Sequence, residues 1–337
     1  MTVTCKLFSK YEKGEKAELF FSTTSCRDRL FTSGNPEDIL RVYDSFQDRE
    51  EVVEWMRGRL RGRVDIMEVE GDKEVIVVIP TADFDGKFAR ECREDVYKGL
   101  HIIFVQSGLP KDPYFNIAHN FNLGIKKAME YNPKWIVISN DDVVKKDEPE
   151  KLIHELSRLD CEKVDAVFTQ PAGYHSAPAF IGQPNALYDT ALSIFQHFSK
   201  NVEYVSRFYE DMRRLNENVY FLRFTYGVSL KRKIADLFLF KKRLYFLNTA
   251  SFMIVSRKFV RNNEKIFDET YINDMEDTEL SLRVRNMNCA FIDYEISEYV
   301  GSSLGIGVVR FIRMLPSLTY FSQEIDIGHI VGFKPYR

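Results

Sequence analysis

Two acidic groupings in this chain have the residue types and the local setting for chemistry. The first is Asn140-Asp141-Asp142, at the end of an apolar run, Trp135-Ile136-Val137-Ile138. Adjacent carboxylates suit a hard divalent cation such as Mg²⁺ or Mn²⁺, which takes one or two protein carboxylates and fills its shell with phosphate and water. The second is Glu276-Asp277, within Phe267-Asp268-Glu269…Thr278-Glu279-Leu280-Ser281-Leu282-Arg283. A carboxylate opening a helix there can take a proton from a hydroxyl nucleophile. Taken singly, each grouping also has a plain structural explanation: an Asx turn leaving a strand, and acids complementing a helix N-terminus.

The elements that must position these acids are legible around them. Residues 75–80 form a continuous β-branched run, as in a strand covered on both faces. A helical stretch over 87–98 leads to a second run at 101–105, an amphipathic helix over 116–131 to a third at 135–138. Strand, helix, strand, helix, strand predicts a doubly wound α/β sheet, in which ligands bind beyond the carboxyl ends of the strands. The residues to watch therefore follow each run: Pro80-Thr81-Ala82-Asp83, Gln106-Ser107-Gly108 and Asn140-Asp141-Asp142. Further strands are expected at 166–169 and 250–256, and helices at 187–198 and 202–215. Residues 1–70 read as an appendage, with a hairpin at 17–24 and a helix over 50–63 capped by Ser45 or Asp48, its inner face formed by Val52, Val53, Met56 and Leu60. Residues 301–337 read as a C-terminal, amphipathic segment.

Composition narrows the function classes. The 337 residues carry 50 acidic and 47 basic side chains, a net charge of −3. That balance lacks the positive field of a nucleic-acid protein. Five scattered cysteines without a CxxC pair fit reduced thiols rather than a disulfide frame or zinc site. The N-terminus lacks a signal-peptide apolar core, and no apolar run approaches the ~20 residues of a membrane span, so a cytoplasmic chain is expected. No GxGxxG follows the first strand and no GxxxxGK[ST] occurs, which disfavours a dehydrogenase and a P-loop enzyme. Aromatic residues reach 14% (27 Phe, 17 Tyr, 2 Trp), concentrated between the two acidic groupings and near the C-terminus.

Taken together, the Ile79-Pro80-Thr81 strand end, the Asn122-Leu123-Gly124-Ile125 segment, Asn140-Asp141-Asp142 and the Glu276-Asp277 block resemble, in that order, family 2 glycosyltransferases of the GT-A fold. The resemblance covers residues 74–300. It implies a Rossmann-like doubly wound mixed sheet with a donor half at about 74–145, an acceptor half at about 165–300 and a long aromatic insertion. It implies an inverting transfer of a sugar from a UDP, GDP or dTDP donor to a glycan or lipid-linked acceptor, with Mn²⁺ or Mg²⁺. Pro80 and Thr81 match the first nucleotide-pocket loop, with Asp83 facing base or ribose. Asn122 and Gly124 match positions lining the donor site, and Gln106 stands where the family's acidic base reader would be. Asn140-Asp141-Asp142 matches the DxD motif, Asp142 as metal ligand and Asp141 nearer ribose or donor sugar. Asp277 matches the general base, with Glu276 its acidic neighbour.

The chain departs from the family pattern in three ways. Asn140 replaces the first DxD acid, Gln106 replaces the base reader, and the region of an expected His reads Ser297-Glu298-Tyr299-Val300-Gly301; His329 is the only substitute nearby. Basic-apolar stretches at 230–243 and 308–320, the latter with Arg310 and Arg313, suggest peripheral contact with an anionic membrane. Two alternatives stand beside this: a sugar-phosphate nucleotidyltransferase, which would want a Gly-rich basic loop where Asp83-Phe84-Asp85-Gly86 is acidic, and a non-catalytic nucleotide- or glycan-binding protein of the same fold.

Overall fold

The computed structural model describes residues 26–107, 112–169, 176–182, 207, 211, 220–223, 245–247, 252–284, 287–299, 305 and 307–324. After short helical turns over 26–32, the chain forms α1 (Pro36–Tyr43) and α2 (Arg49–Gly58). Asn35 and Asp48 cap them, accepting from the amides of Glu37 at 3.0 Å and Glu51 at 2.9 Å. Next come β1 (Asp65–Val69), β2 (Asp72–Thr81), α3 (Lys87–Glu91) with a wider turn over Cys92–Val96, β3 (Leu100–Gln106), α4 (Ile117–Ala128) and β4 (Trp135–Ser139). Then follow β5 (Val143–Lys145), α5 (Pro149–Ser157), β6 (Ala166–Thr169), β7 (Ser176–Gly182), β8 (Tyr220–Arg223), β9 (Tyr245–Leu247) and β10 (Phe252–Ser256). The chain continues through α6 (Arg257–Arg261), α7 (Glu276–Val284), β11 (Cys289–Ile292), β12 (Ile296–Glu298) and α8 (Gly307–Glu324).

Seven strands make one mixed sheet in the order β1-β3-β2-β4-β10-β6-β11. The three β-branched runs are its parallel centre, β2 pairing with β3 on one side and β4 on the other. Antiparallel β10 lies between β4 and β6, and β11 runs parallel to β6. Strands β5 and β12 form a separate two-stranded sheet, and β8-β7-β9 a three-stranded one. Alternate residues of β2 enter different cores. Val75, Val77 and Ile79 pack with Cys92, Val96, Leu152 and Leu156, whereas Ile76 and Val78 pack with Phe121, Ile125, Leu280 and Val284. Burial on both faces is why the run contains no polar residue.

Two details of this packing bear on the site. Gly124 lets α4 lie close on the sheet: a Cβ there would stand 2.3 Å from Val78 Cγ1 and 2.8 Å from Val105 Cγ2. The β2–β4 ladder ends at Val78↔Ile138, while β2 stays paired with β3 to Thr81↔Gln106. Pro80, with no N–H to donate, falls just where the β4 side of the ladder has stopped. The segments leaving β2 and β3 cover opposite faces, so the gap opening between β2 and β4 is the topological switch point of the sheet.

The two ends of the chain meet. Pro316 sits inside α8 and removes the hydrogen bond to the carbonyl of Ile312. The hydroxyl of fully buried Tyr43 takes that place, donating to Ile312 O at 2.5 Å. Arg313 donates to the carbonyls of Leu30 and Ser33, both at 2.8 Å, and Ile312 and Leu315 are buried. Arg313, Ile312 and Leu315 thus serve contact with the N-terminal helices.

Several boundaries differ from expectation. β1 pairs with β3, so residues 65–69 belong to the main sheet rather than to an N-terminal appendage. α2 stops at Gly58, leaving Leu60 outside it and 66% exposed. The expected hairpin at 17–24 and the basic stretch at 230–243 lie outside the described residues, as do 187–198 and, apart from residues 207 and 211, 202–215. Among the described residues, no helix is long and apolar enough to cross a membrane. Tyr43→Phe should orphan the buried Ile312 carbonyl and lower unfolding free energy by about 1–3 kcal/mol, read by urea denaturation; an unchanged midpoint would refute this account of Pro316.

Candidate functional site

The crevice beside β2 is where the first acidic grouping collects. Ser139, fully buried at the end of β4, bonds the Tyr97 hydroxyl at 2.6 Å and donates to the carbonyl of Asn140 at 2.9 Å. Beyond it the chain turns out of the sheet. The Thr81 hydroxyl donates across the crevice to Asp141 Oδ2 at 2.7 Å and accepts from the Asp83 amide at 3.3 Å. Cys92 Sγ donates to the Asp141 carbonyl at 3.3 Å. The Asp142 carbonyl accepts from the Tyr299 amide at 2.8 Å, in line with the β5–β12 pairing that sets Glu298 opposite Val143. Glu298 in turn hydrogen-bonds to the Asn140 side chain.

Asn140, Asp141, Asp142 and Glu298 are therefore neighbours, and their electrostatics are unusual. Burial pushes the Asp141 carboxyl up, an effect that the Thr81 hydrogen bond opposes. Burial, reinforced by the charge of Asp141, pushes Asp142 up to about 6. Burial and the charge of Asp142 push Glu298 up to about 8. Glu298 Oε2 is buried without a hydrogen-bond partner. Among the described residues, no Lys, Arg or His forms an ion pair with any of the three carboxyls. Nor do three His, Cys, Asp or Glu side chains stand already converged as a ligand set. Two carboxylates are nonetheless the protein share that Mg²⁺ or Mn²⁺ takes when substrate phosphates complete its shell, and Glu298 Oε2 is buried without a partner, so Asp142 and Glu298 fit such an ion.

The second grouping is set by asparagines. Asn122 accepts from the amides of Ile266 at 3.2 Å and Phe267 at 3.0 Å and donates to Phe267 O and Glu269 Oε1, both at 2.9 Å. Asn116, capping α4, donates to the carbonyls of Glu269 and Tyr271 at 3.0 and 2.8 Å. Asn273 accepts from the Ile117 amide at 2.8 Å and donates to Phe115 O at 3.1 Å. Asn273 and Met275 adopt left-handed backbone, φ 57° and 69°, immediately before α7. From the far side, Tyr320 donates to Asp268 Oδ2 at 2.7 Å and Ser317 accepts from the Ile272 amide at 3.1 Å. The block so fixed ends with Glu276 buried and Asp277 half-buried, its Oδ1 accepting from the Thr278 amide at 2.6 Å. The amino end of α4 lies at the carboxyl end of β3, so Asp277 occupies the same end of the sheet as Asp142.

The expected residues thus divide. Thr81, Asp83, Asn140, Asp141 and Asp142 come together, with Pro80 buried behind them. The Gln106 amide oxygen accepts from the Phe84 amide at 2.7 Å and orders the loop. Asn122 and Gly124, expected at the donor site, instead hold the acidic block and the sheet: every hydrogen bond described above for Asn122 goes to residues 266–269, and Gly124 faces Val78 and Val105. Sequence reasoning missed Glu298, which it noted only where a His was absent, and the latches Asn116 and Asn273. A polar side chain closing a short run, Ile296-Ser297-Glu298, was the available signal.

The shifted carboxyls set a sign for pH dependence. In the unfolded chain Glu298 ionises near its ordinary 4.5, but in the folded metal-free protein it holds its proton to about 8. Folding is therefore favoured below pH 4.5, and that contribution is lost as pH rises through 8. Glu298→Gln should leave stability unchanged near pH 4.5 and raise it by a few kcal/mol near pH 8, in urea titrations with chelator present. Parallel pH profiles for the two proteins would contradict the shared burial of Glu298 and Asp142.

No family model, no curated protein and no solved structure matches this chain.

Proposed function

We propose that this chain is an inverting, metal-dependent glycosyltransferase of the GT-A type, moving a sugar from a nucleotide-diphosphate donor to a glycan or lipid-linked hydroxyl. One observation carries the reading: the crevice between β2 and β4 gathers Asp141, Asp142 and Glu298 with no counter-cation among the described residues. The parallel centre of the sheet, with the crevice at its switch point, supports it further. The exposed Asp83 and Asp85 in the loop after β2 disfavour a nucleotidyltransferase, whose loop would be basic.

In this mechanism Asp142 and Glu298 would hold the divalent ion, with Asp141 beside them accepting from the Thr81 hydroxyl. A bound cation offsets the charge that develops on a departing diphosphate. Asp277, half-buried beside buried Glu276, takes the proton of the acceptor hydroxyl as it attacks the anomeric carbon. Its grip on the Thr278 amide orients the carboxylate at the opening of α7. Attack from the face opposite the leaving group inverts that centre, and no covalent enzyme intermediate is needed.

Two substitutions separate the roles. Asp277→Asn should lower turnover about 10²- to 10⁴-fold while nucleotide affinity stays as in the wild type; turnover at the wild-type rate would remove Asp277 as base. Asp142→Ala should abolish the gain in nucleotide-sugar affinity that Mn²⁺ confers, measured across UDP-, GDP- and dTDP-sugars by calorimetry. Titrations of that variant that still respond to Mn²⁺ would refute the metal role.

A further inference from the structure

Large apolar side chains are mostly covered in this protein. Of those described, Leu60, Ile66, Phe88, Phe291 and Tyr299 are exposed. Singly scattered apolar residues need no explanation, but two of these touch. The rings of Phe88 and Tyr299 have centroids 5.7 Å apart, tilted by 46°, and are 39% and 46% exposed. They are 211 residues apart in sequence: Phe88 lies at the start of α3, just past the loop that follows β2, and Tyr299 is the residue after β12. Tyr299 is tied to the carboxylate cluster, because its amide donates to the carbonyl of Asp142 at 2.8 Å. The Lys87 ammonium stands 5.8 Å from the Tyr299 ring and 6.0 Å from the Phe88 ring, its side chain 67% exposed and 3.6 Å from Glu91. An exposed aromatic pair with a cation beside it is thus tied, through the Tyr299 amide, to the segment that carries the carboxylates.

Other aromatic groups at this end of the sheet are already engaged. Phe84 lies edge-on to Phe104 at 5.3 Å, and the Arg93 guanidinium covers it at 4.6 Å. Gln106, at the end of β3, gives its amide oxygen to the Phe84 backbone. Neither is arranged to receive a heteroaromatic ring.

We infer that Phe88 and Tyr299 form the platform on which the nucleobase of a nucleoside diphosphate stacks, with Lys87 beside its phosphates. The inference rests on the proposed nucleotide-diphosphate donor and specifies where its base is held. Stacking uses the π-face that every base has, and tolerates base identity because it reads no hydrogen-bond edge. The lysine complements the negative phosphates, and the Tyr299–Asp142 backbone bond keeps the platform within one ligand of the carboxylates. Both rings are exposed and the backbone bond does not depend on the side chain, so truncating either ring leaves the fold intact.

The test is calorimetric titration in Mn²⁺ of the full chain and of Tyr299→Ala, Phe88→Ala and Tyr299→Phe, with UDP, GDP, ADP and pyrophosphate as probes. The wild type should bind the three nucleotides within about tenfold of one another, since stacking is base-tolerant. Each alanine variant should weaken all three about ten- to a hundredfold, the loss of one stacking contact. Tyr299→Phe should bind as the wild type does, and pyrophosphate, which has no base, should bind all four proteins alike. Nucleotide affinities unchanged in both alanine variants, or pyrophosphate weakened in parallel with the nucleotides, would overturn the platform while leaving the donor reading intact. A wild type that binds neither nucleotide nor pyrophosphate would overturn both.

Discussion

Three partly buried carboxyl groups gathered beyond the end of β4, two from the segment that follows it and one from β12, without a positive partner among the described residues, are the constraint around which the rest is arranged. Each would repel the others if ionised, and burial penalises charge on all of them. The folded protein answers in two ways. Thr81 spends its hydroxyl on Asp141, and two of the three acids hold protons far above the ordinary carboxylate range. That arrangement is costly for a protein needing only a stable turn. It suits one that receives a divalent ion, whose binding replaces protons and relieves the repulsion together.

The architecture supplies the stiffness such a cluster demands. Buried parallel strands fix where the chain leaves the sheet, and early termination of the β2–β4 ladder leaves the gap that Thr81 spans. A different set of contacts fixes the second acid. Asn116, Asn122 and Asn273 bind the 266–273 segment to α4 through backbone groups, while α8 braces it from behind through Tyr320 and Ser317. Because α8 is itself held to the N-terminal helices by Tyr43 and by its own Arg313, those helices support the acidic block at one remove.

Much of this was readable in the chain before any coordinates, for identifiable reasons. A strand buried on both faces reads as a nearly continuous apolar run, so β2, β3 and β4 declare themselves, and Asp48 marks a helix start because its short polar side chain caps it. Features that depend on pairing between distant segments were not readable. Glu298 reaches Asp142 only because β12 pairs with β5 from some 150 residues away. β1 joins the sheet as a short, mostly exposed edge strand whose alternation is too weak to stand out. Asn122 and Gly124 illustrate a subtler limit: their residue types suit a ligand site and a packing contact equally, and only the placement of α4 decides. The docking of α8 likewise turns on a proline, Pro316, which leaves the Ile312 carbonyl to a hydroxyl far away in sequence.

The central claim is that the Asp142–Glu298 pair exists to receive a divalent cation. Calorimetric titration of the wild-type chain with Mn²⁺ at pH 7, repeated in buffers of different ionisation enthalpy, tests it most directly. The account predicts a single binding event accompanied by release of about one proton, because Glu298 must give up its proton to become a ligand. No binding, or binding with heats independent of the buffer, would contradict it.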